Sequence, residues 1–269
     1  MKTLSRIYNG LIFTFLYAPI VVLIIFSFNN SKSRVVWNGF SLRWYEELFR
    51  DEEILAALGV TLSVAVIATI VSTVIGTLAA IGIRSVNRRL GKALMAINNF
   101  PMVNPEIVTG ISLMLLFVFV YRTTGLLEPG YATLLISHIT FCIPYVILQV
   151  MPKLRQANPH LYEAAVDLGC PPVPAFFKVM IPEIFPGILT GALMAFTMSL
   201  DDFVISLFTS GASAQNLSVT IYAMVKRRVT PEINALSTLM FGAVLVMLIL
   251  VNVLQIRSEQ PSRKGGKAK

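Results

Sequence analysis

The sequence is poor in charge. Asp, Glu, Lys and Arg make up 13% of its 269 residues, against about 25% in a typical soluble domain, which argues against an ordinary soluble fold. Cysteine and histidine are scarce, with two of each. Cys142 and Cys170 have no CxxC spacing, and His138 and His160 stand apart, so neither a disulfide framework nor a zinc site is implied. No GxxxxGK[ST] run occurs, and Gly265-Gly266-Lys267-Ala268 near the end does not make one. Nucleotide binding is therefore expected in another chain, and no cofactor in this one. No loop gathers a nucleophile with a base, which leaves a membrane enzyme without support. No span repeats another, so the inverted halves of many secondary transporters are not evident.

What the sequence has is apolar length. Hydrophobic residues reach 55% and the mean hydropathy is +0.73. A bilayer core needs about 20 apolar residues as helix. Six segments are predicted to span: Leu11–Phe28, Leu58–Ile83, Ala93–Val120, Ala132–Met151, Gly187–Thr209 and Leu236–Ile256. The first follows Lys2 and Arg6, but its apolar run is too long for a signal peptide and Phe28-Asn29-Asn30 offers no cleavage site. It is expected to be a retained anchor. The predicted fold class is thus an all-α integral membrane protein with six transmembrane helices. Residues 1–257 form the membrane domain, and 258–269 a basic, disordered cytoplasmic tail.

The net charge of +8 falls where membrane topology wants it. With the N-terminus inside, internal segments hold Lys2, Arg6, Arg84, Arg88, Arg89, Lys92, Lys153, Arg155, Lys178 and the basic tail, the larger share of the 22 cations. The positive-inside rule then places both termini in the cytoplasm, and bilayer rather than nucleic acid explains the charge. Lys226-Arg227-Arg228 runs against that trend. In the external segment Asn29–Ala57, Phe40 to Phe49 have apolar residues at helical spacing and predict an interfacial helix.

Acids inside apolar spans cost about 2.5–3.5 kcal/mol each on the insertion scale and mark pathways or paired sites. Three qualify. Glu106 follows Pro101 and Pro105, which are expected to break the third span. Asp201 and Asp202 sit in the fifth, about 100° apart on a helix, so one is expected on the pathway and the other in a helix–helix or subunit hydrogen bond. Neither span contains a Lys or Arg to neutralise them, whereas a cationic ligand would. Tyr121, Tyr145, Phe117, Phe141 and Phe203 offer π faces for an ammonium group.

Between the fourth and fifth spans lies a semi-polar segment, about 152–186. Asn158-Pro159 predicts a helix start, and Leu161, Ala164, Ala165 and Leu168 form one apolar stripe. Gly169 stands where a left-handed terminating residue is wanted, and Pro171-Pro172 forbid continuation. Ala175 to Met180 is expected to form a second short helix ending before Pro182.

Glu163-Ala164-Ala165, Gly169 and Val179-Met180-Ile181-Pro182 closely resemble the EAA loop of ABC importer permeases. Val179 and Ile181 depart conservatively from that pattern, and Pro174 is less usual in it. The resemblance implies a MetI-like permease in which Glu163, Ala164, Ala165 and Gly169 belong to coupling helices docked on a cytoplasmic ATPase. Ser137–Val146, Leu161–Gly169, Ser199–Gly211, Ile221–Leu236 and Tyr17–Lys32 are similar to spermidine/putrescine permeases over nearly the whole chain. That likeness implies a bacterial inner-membrane subunit with a second related permease, an ATPase dimer that binds the ATP, and an external polyamine-binding protein. In it Glu106, Asp201 and Asp202 occupy the acidic positions of a cation pathway. Related permeases carry ferric iron, thiamine or phosphonates, so another small solute stays open, as does an ion-driven secondary transporter.

Overall fold

The computed structural model describes residues 2–31, 36–158, 160–227 and 231–258. The basic tail after Ser258, Pro159 and Arg228 therefore lie outside the described residues. Those residues are helical apart from turns, loops and one isolated antiparallel bridge between Asn29 and Phe40. In chain order the helices are α1 (Lys2–Ser27), α2 (Arg43–Leu48), α3 (Glu52–Ser85), α4 (Arg88–Val103), α5 (Glu106–Thr124), α6 (Tyr131–Gln156), α7 (His160–Asp167), α8 (Pro172–Ala175), α9 (Ile181–Asp201), α10 (Val204–Thr209), α11 (Leu217–Arg227) and α12 (Pro231–Ser258). A π-helical turn, Phe176–Met180, joins α8 to α9.

Among the described residues, five helices are long and apolar enough to cross a membrane: Tyr8–Ser27, Glu52–Ser85, Glu106–Thr124, Tyr131–Gln156 and the continuous Pro172–Asp201. The sixth expected segment lies in α12, where Glu232–Val246 is apolar. Two boundaries differ from expectation. The third crossing begins at Glu106, not Ala93, because α4 has cations along one side and ends at Val103, ahead of Pro105. The fifth ends at Asp201, not Thr209, because the chain is extended at Asp202 (ψ 126°). The second short loop helix does not stop before Pro182 either. Pro182 has no N–H to give, and the Ile181 N–H bonds to the Phe176 carbonyl five residues back, so the chain slides into α9 through a π turn instead of breaking.

The chain divides into two compact units. One comprises Met1–Leu58 and Val219–Met247. Here the end of α1 turns on Asn29, whose side chain donates to Val36 O (2.8 Å) and accepts from Asn38 N–H (2.8 Å). The buried Trp44 indole donates to Asn29 O at 2.6 Å, and Phe28 packs between Phe40 and Tyr45 at ring separations of 5.3 and 5.2 Å. The expected interfacial helix is thus the six-residue α2, pinned at its indole.

The other unit comprises Gly59–Ser218 and Leu248–Lys269 and holds the main core, built around α6 and α9. Lipid tails are as apolar as the side chains, so helices associate in a membrane largely through close packing. Gly187 and Gly191, one turn apart on α9, supply it. A Cβ on Gly187 would sit 2.8 Å from Lys153 Cγ, and one on Gly191 3.2 Å from Val146 Cγ1. Val146 and Ala195 are fully buried beside them.

Candidate functional site

The chain interrupts two apolar helical stretches, and the three predicted acids sit at these interruptions. Between α4 and α5 the cause is local. Proline forces the residue before it out of helical geometry and lacks a donor itself. Asn104 is accordingly extended (ψ 136°), and α4 closes with the Asn104 N–H on Phe100 O. The Asn104 side chain donates to Thr109 Oγ1 at 3.2 Å. Glu106 opens α5, where a negative charge is favoured by the helix dipole. Its carboxylate is exposed and lies within electrostatic range of the Tyr145 hydroxyl on α6. The Tyr145 ring meets Phe141 edge-on at 5.2 Å.

Between α9 and α10 no proline or glycine is present. Asp202 turns its side chain back onto the start of α10 and accepts from Ile205 N–H (3.3 Å), Ser206 N–H (2.8 Å) and Ser206 Oγ–H (2.7 Å). Its side chain thus caps the first turn of α10 from the position before the N-cap residue, Phe203. Asn216 Nδ2 donates to the Asp202 carbonyl (3.2 Å) and to Ser206 Oγ (2.7 Å). His138, from α6, lies 2.9 Å from Ser206 Oγ, 2.7 Å from Ser199 Oγ and 3.5 Å from Asp202 Oδ2. A serine hydroxyl has one proton. With that proton on the Asp202 carboxylate, Ser206 Oγ accepts from both Asn216 and His138, so His138 carries a proton on Nε2. All five side chains in this network are buried. Asp201, one residue earlier, is exposed. The aspartate pair is therefore split, one inside a closed network and one outside it.

The two interruptions come together in the fold. A Cβ on Gly110 of α5 would lie 2.9 Å from the Phe208 ring and 3.5 Å from Ile205 Cα on α10. Glu106 stands one helical turn before Gly110, and Asp201 lies four residues before Ile205, across the break at Asp202. Neither acid makes an ion pair with a described residue.

The residues marked in the α6–α9 loop lie apart from these acids in the sequence and form a separate structure. Asn158 Oδ1 accepts the His160 N–H (3.0 Å) to start α7. Gly169 adopts φ +86°. Its N–H bonds to Val166 O (2.9 Å) and that of Cys170 to Ala165 O (3.0 Å), the Schellman pattern that satisfies the last carbonyls. The stripe faces outward: Leu168 is 89% exposed, and Leu161, Val173 and Phe177 are also exposed. Glu163 is exposed beside His160 (3.2 Å). It also lines a cavity of about 440 Å³ with Arg84, Tyr162, Phe176 and Glu183.

By sequence His138 stands apart, and no spacing connects it with Asp202, Ser199, Ser206 or Asn216. The available signal was one histidine and an unpaired acid, each inside an apolar span. The Gly187-x₃-Gly191-x₃-Ala195 spacing on α9 is equally readable in the sequence.

An all-helical membrane chain with an outward-facing helical loop and carboxylates at two helix breaks has the parts of a transport permease. Residues 72–260 match the model of the binding-protein-dependent transport system inner membrane component, and the chain belongs to that family. It is therefore a multi-pass inner-membrane protein and a permease component of an ABC importer. Among its relatives, it is 42% identical to the putrescine transport system permease protein PotI of Escherichia coli K12, over 92% of this chain and 89% of that one. It is 38% identical to the spermidine/putrescine transport system permease protein PotC of the same strain, over 88% of each. Its fold is similar to that of a bacterial ABC transporter involved in the import of the acidic polysaccharide alginate, with a TM-score of 0.74 and 17% identity over 95% of both chains.

Proposed function

We propose that this permease forms the translocation pathway for polyamines, the di- to tetra-amines of the putrescine and spermidine class, delivered by an external binding protein. The names of the relatives support the cargo. The observation that carries the reading is the pair of exposed carboxylates, Glu106 and Asp201, at adjoining helix breaks with no ion-pair partner among the described residues. A protonated amine supplies the missing counter-charge, and the partly exposed Tyr145 ring adds a π face for ammonium. The fold neighbour's cargo is acidic, so the sign of the cargo is set by side chains and not by the fold. Asp202 acts on the pathway by holding the α9–α10 break open, and Asp201 by facing the cargo.

ATP is bound and hydrolysed by a separate cytoplasmic ATPase dimer, and a second, related permease completes the pathway. The ATPase docks on the α6–α9 loop, with Glu163, Ala164, Ala165 and the Gly169 turn presenting the exposed apolar stripe. That puts both termini in the cytoplasm. Two experiments test this. Asp201→Asn with Glu106→Gln should lower spermidine and putrescine uptake at least tenfold while the protein still reaches the membrane. Unchanged uptake refutes the cationic pathway. Gly169→Val forces a β-branched residue into left-handed geometry at about 1–2 kcal/mol, so the ATPase should co-purify about tenfold less well. Full co-purification would detach the loop from the motor.

A further inference from the structure

The end of the larger unit that carries the α6–α9 loop also holds a cavity of about 720 Å³. Arg84 from the last turn of α3, Arg88 and Lys92 from α4 and Arg155 from the last turn of α6 line it, and no Asp or Glu does. None of the four cations makes an ion pair with a described residue. Gathering like charges without a counterion costs free energy, and an anion in the cavity would remove that cost. The α4 terminus points the same way. Its first turn has no acid, and its N-cap is the neutral Asn87, whose Oδ1 accepts the Leu90 N–H at 2.9 Å. Arg88 thus stands at the positive end of the helix dipole, where an anion is favoured and a cation is not.

The source of the anion follows from the other side of α4. Arg88, Gly91, Lys92, Met95, Ala96 and Asn99 recur at helical spacing along the cavity wall. Leu90 (48%), Ile97 (68%) and Phe100 (71%) lie on the remaining face, exposed. A helix with cations on one side and bare apolar residues on the other is suited to the membrane interface, its apolar face toward acyl chains. Basic pockets between membrane helices suit lipid head groups. We propose that this cavity binds the phosphate of an anionic phospholipid of the phosphatidylglycerol class, with Arg88 and Lys92 as its principal counter-charges. Arg84 also borders the neighbouring cavity that contains Glu163 and Glu183, so it is shared between lipid and loop. The site is independent of the cargo.

The test uses the full-length chain in its transporter, reconstituted in vesicles of mixed phosphatidylcholine and phosphatidylglycerol, with retained lipid counted by native mass spectrometry. The wild type should retain phosphatidylglycerol preferentially. Arg88→Gln and Lys92→Gln should each reduce that preference about fivefold, the factor corresponding to roughly 1 kcal/mol per surface cation. The charge-preserving Arg88→Lys should retain it, and so should Arg122→Gln at the last turn of α5. Equal retention by the Arg88→Gln/Lys92→Gln double variant and the wild type overturns the proposal. Loss of retention in Arg88→Lys overturns its electrostatic basis. Displacement of the lipid by inorganic phosphate alone overturns the lipid as the source.

Discussion

At Asn104–Pro105 the helix stops because Asn104 is extended before a proline that has no N–H to give, whereas Pro101, which the sequence also marked as a break, is carried inside α4. At Asp202 it stops because side chains from α6, α10 and the segment before α11 offer better partners than another helical turn would. The first break leaves an exposed acid, Glu106, at the start of a new helix. The second buries its acid among His138, Ser206 and Asn216 and leaves Asp201 outside. Pro105 acts on the backbone of the residue before it, whereas the buried Asp202 carboxylate needs its neighbours, since an unmatched buried charge is costly. One break is thus a property of the chain and the other a property of the packed protein.

That contrast is open to attack in order of expected effect. Asp202→Ala removes the α10 cap and strips the Ile205 and Ser206 N–H groups and the Ser206 hydroxyl of their acceptor. A loss of about 3 kcal/mol or more is expected, since each buried donor left without an acceptor costs about 1–3 kcal/mol, read as a collapse of the thermal midpoint in detergent. An unchanged midpoint would erase the distinction between the breaks. The link to α6 is sharpened by a double-mutant cycle of His138→Gln and Asp202→Asn. Their coupling should fall within about 0.5–3 kcal/mol, the range for residues in one network, and a coupling near zero would separate the histidine from the cap. Pro105→Ala restores a donor where the chain now turns. It should change stability by no more than about 1 kcal/mol, while uptake falls as α4 and α5 tend to merge. A large loss of stability would mean that this break, too, is held by tertiary contacts. The smallest effect belongs to Asp201→Asn, within about 0.5 kcal/mol despite its adjacency to Asp202. A drop like that of Asp202→Ala would place both aspartates in one network.

The features readable in the sequence share a cause that acts within a few residues. Gly169 takes the left-handed turn because the preceding helix must end and glycine has no Cβ to clash, and it does so with φ +86°. The break before Glu106 follows from Pro105 in the same way. The stripe Leu161 to Leu168 was legible as a period, but its direction was not, and Leu168 at 89% exposure looks outward. Hydropathy carries the fifth span through Asp202 to Thr209, because it has no means of registering that Ser206 folds back on the Asp202 carboxylate and Asn216 on its backbone carbonyl.

By itself the sequence determined a membrane-embedded helical chain, the breaks and turns that proline and glycine impose, and the likeness of its loop to a motor-docking motif, because hydropathy and backbone sterics are fixed residue by residue. The tertiary structure alone decided which aspartate is enclosed, that His138 is its neighbour, and that four cations on three helices share one cavity. Those outcomes depend on which helices lie side by side, and the close α6–α9 approach at Gly187 and Gly191 exists only once the chain has packed.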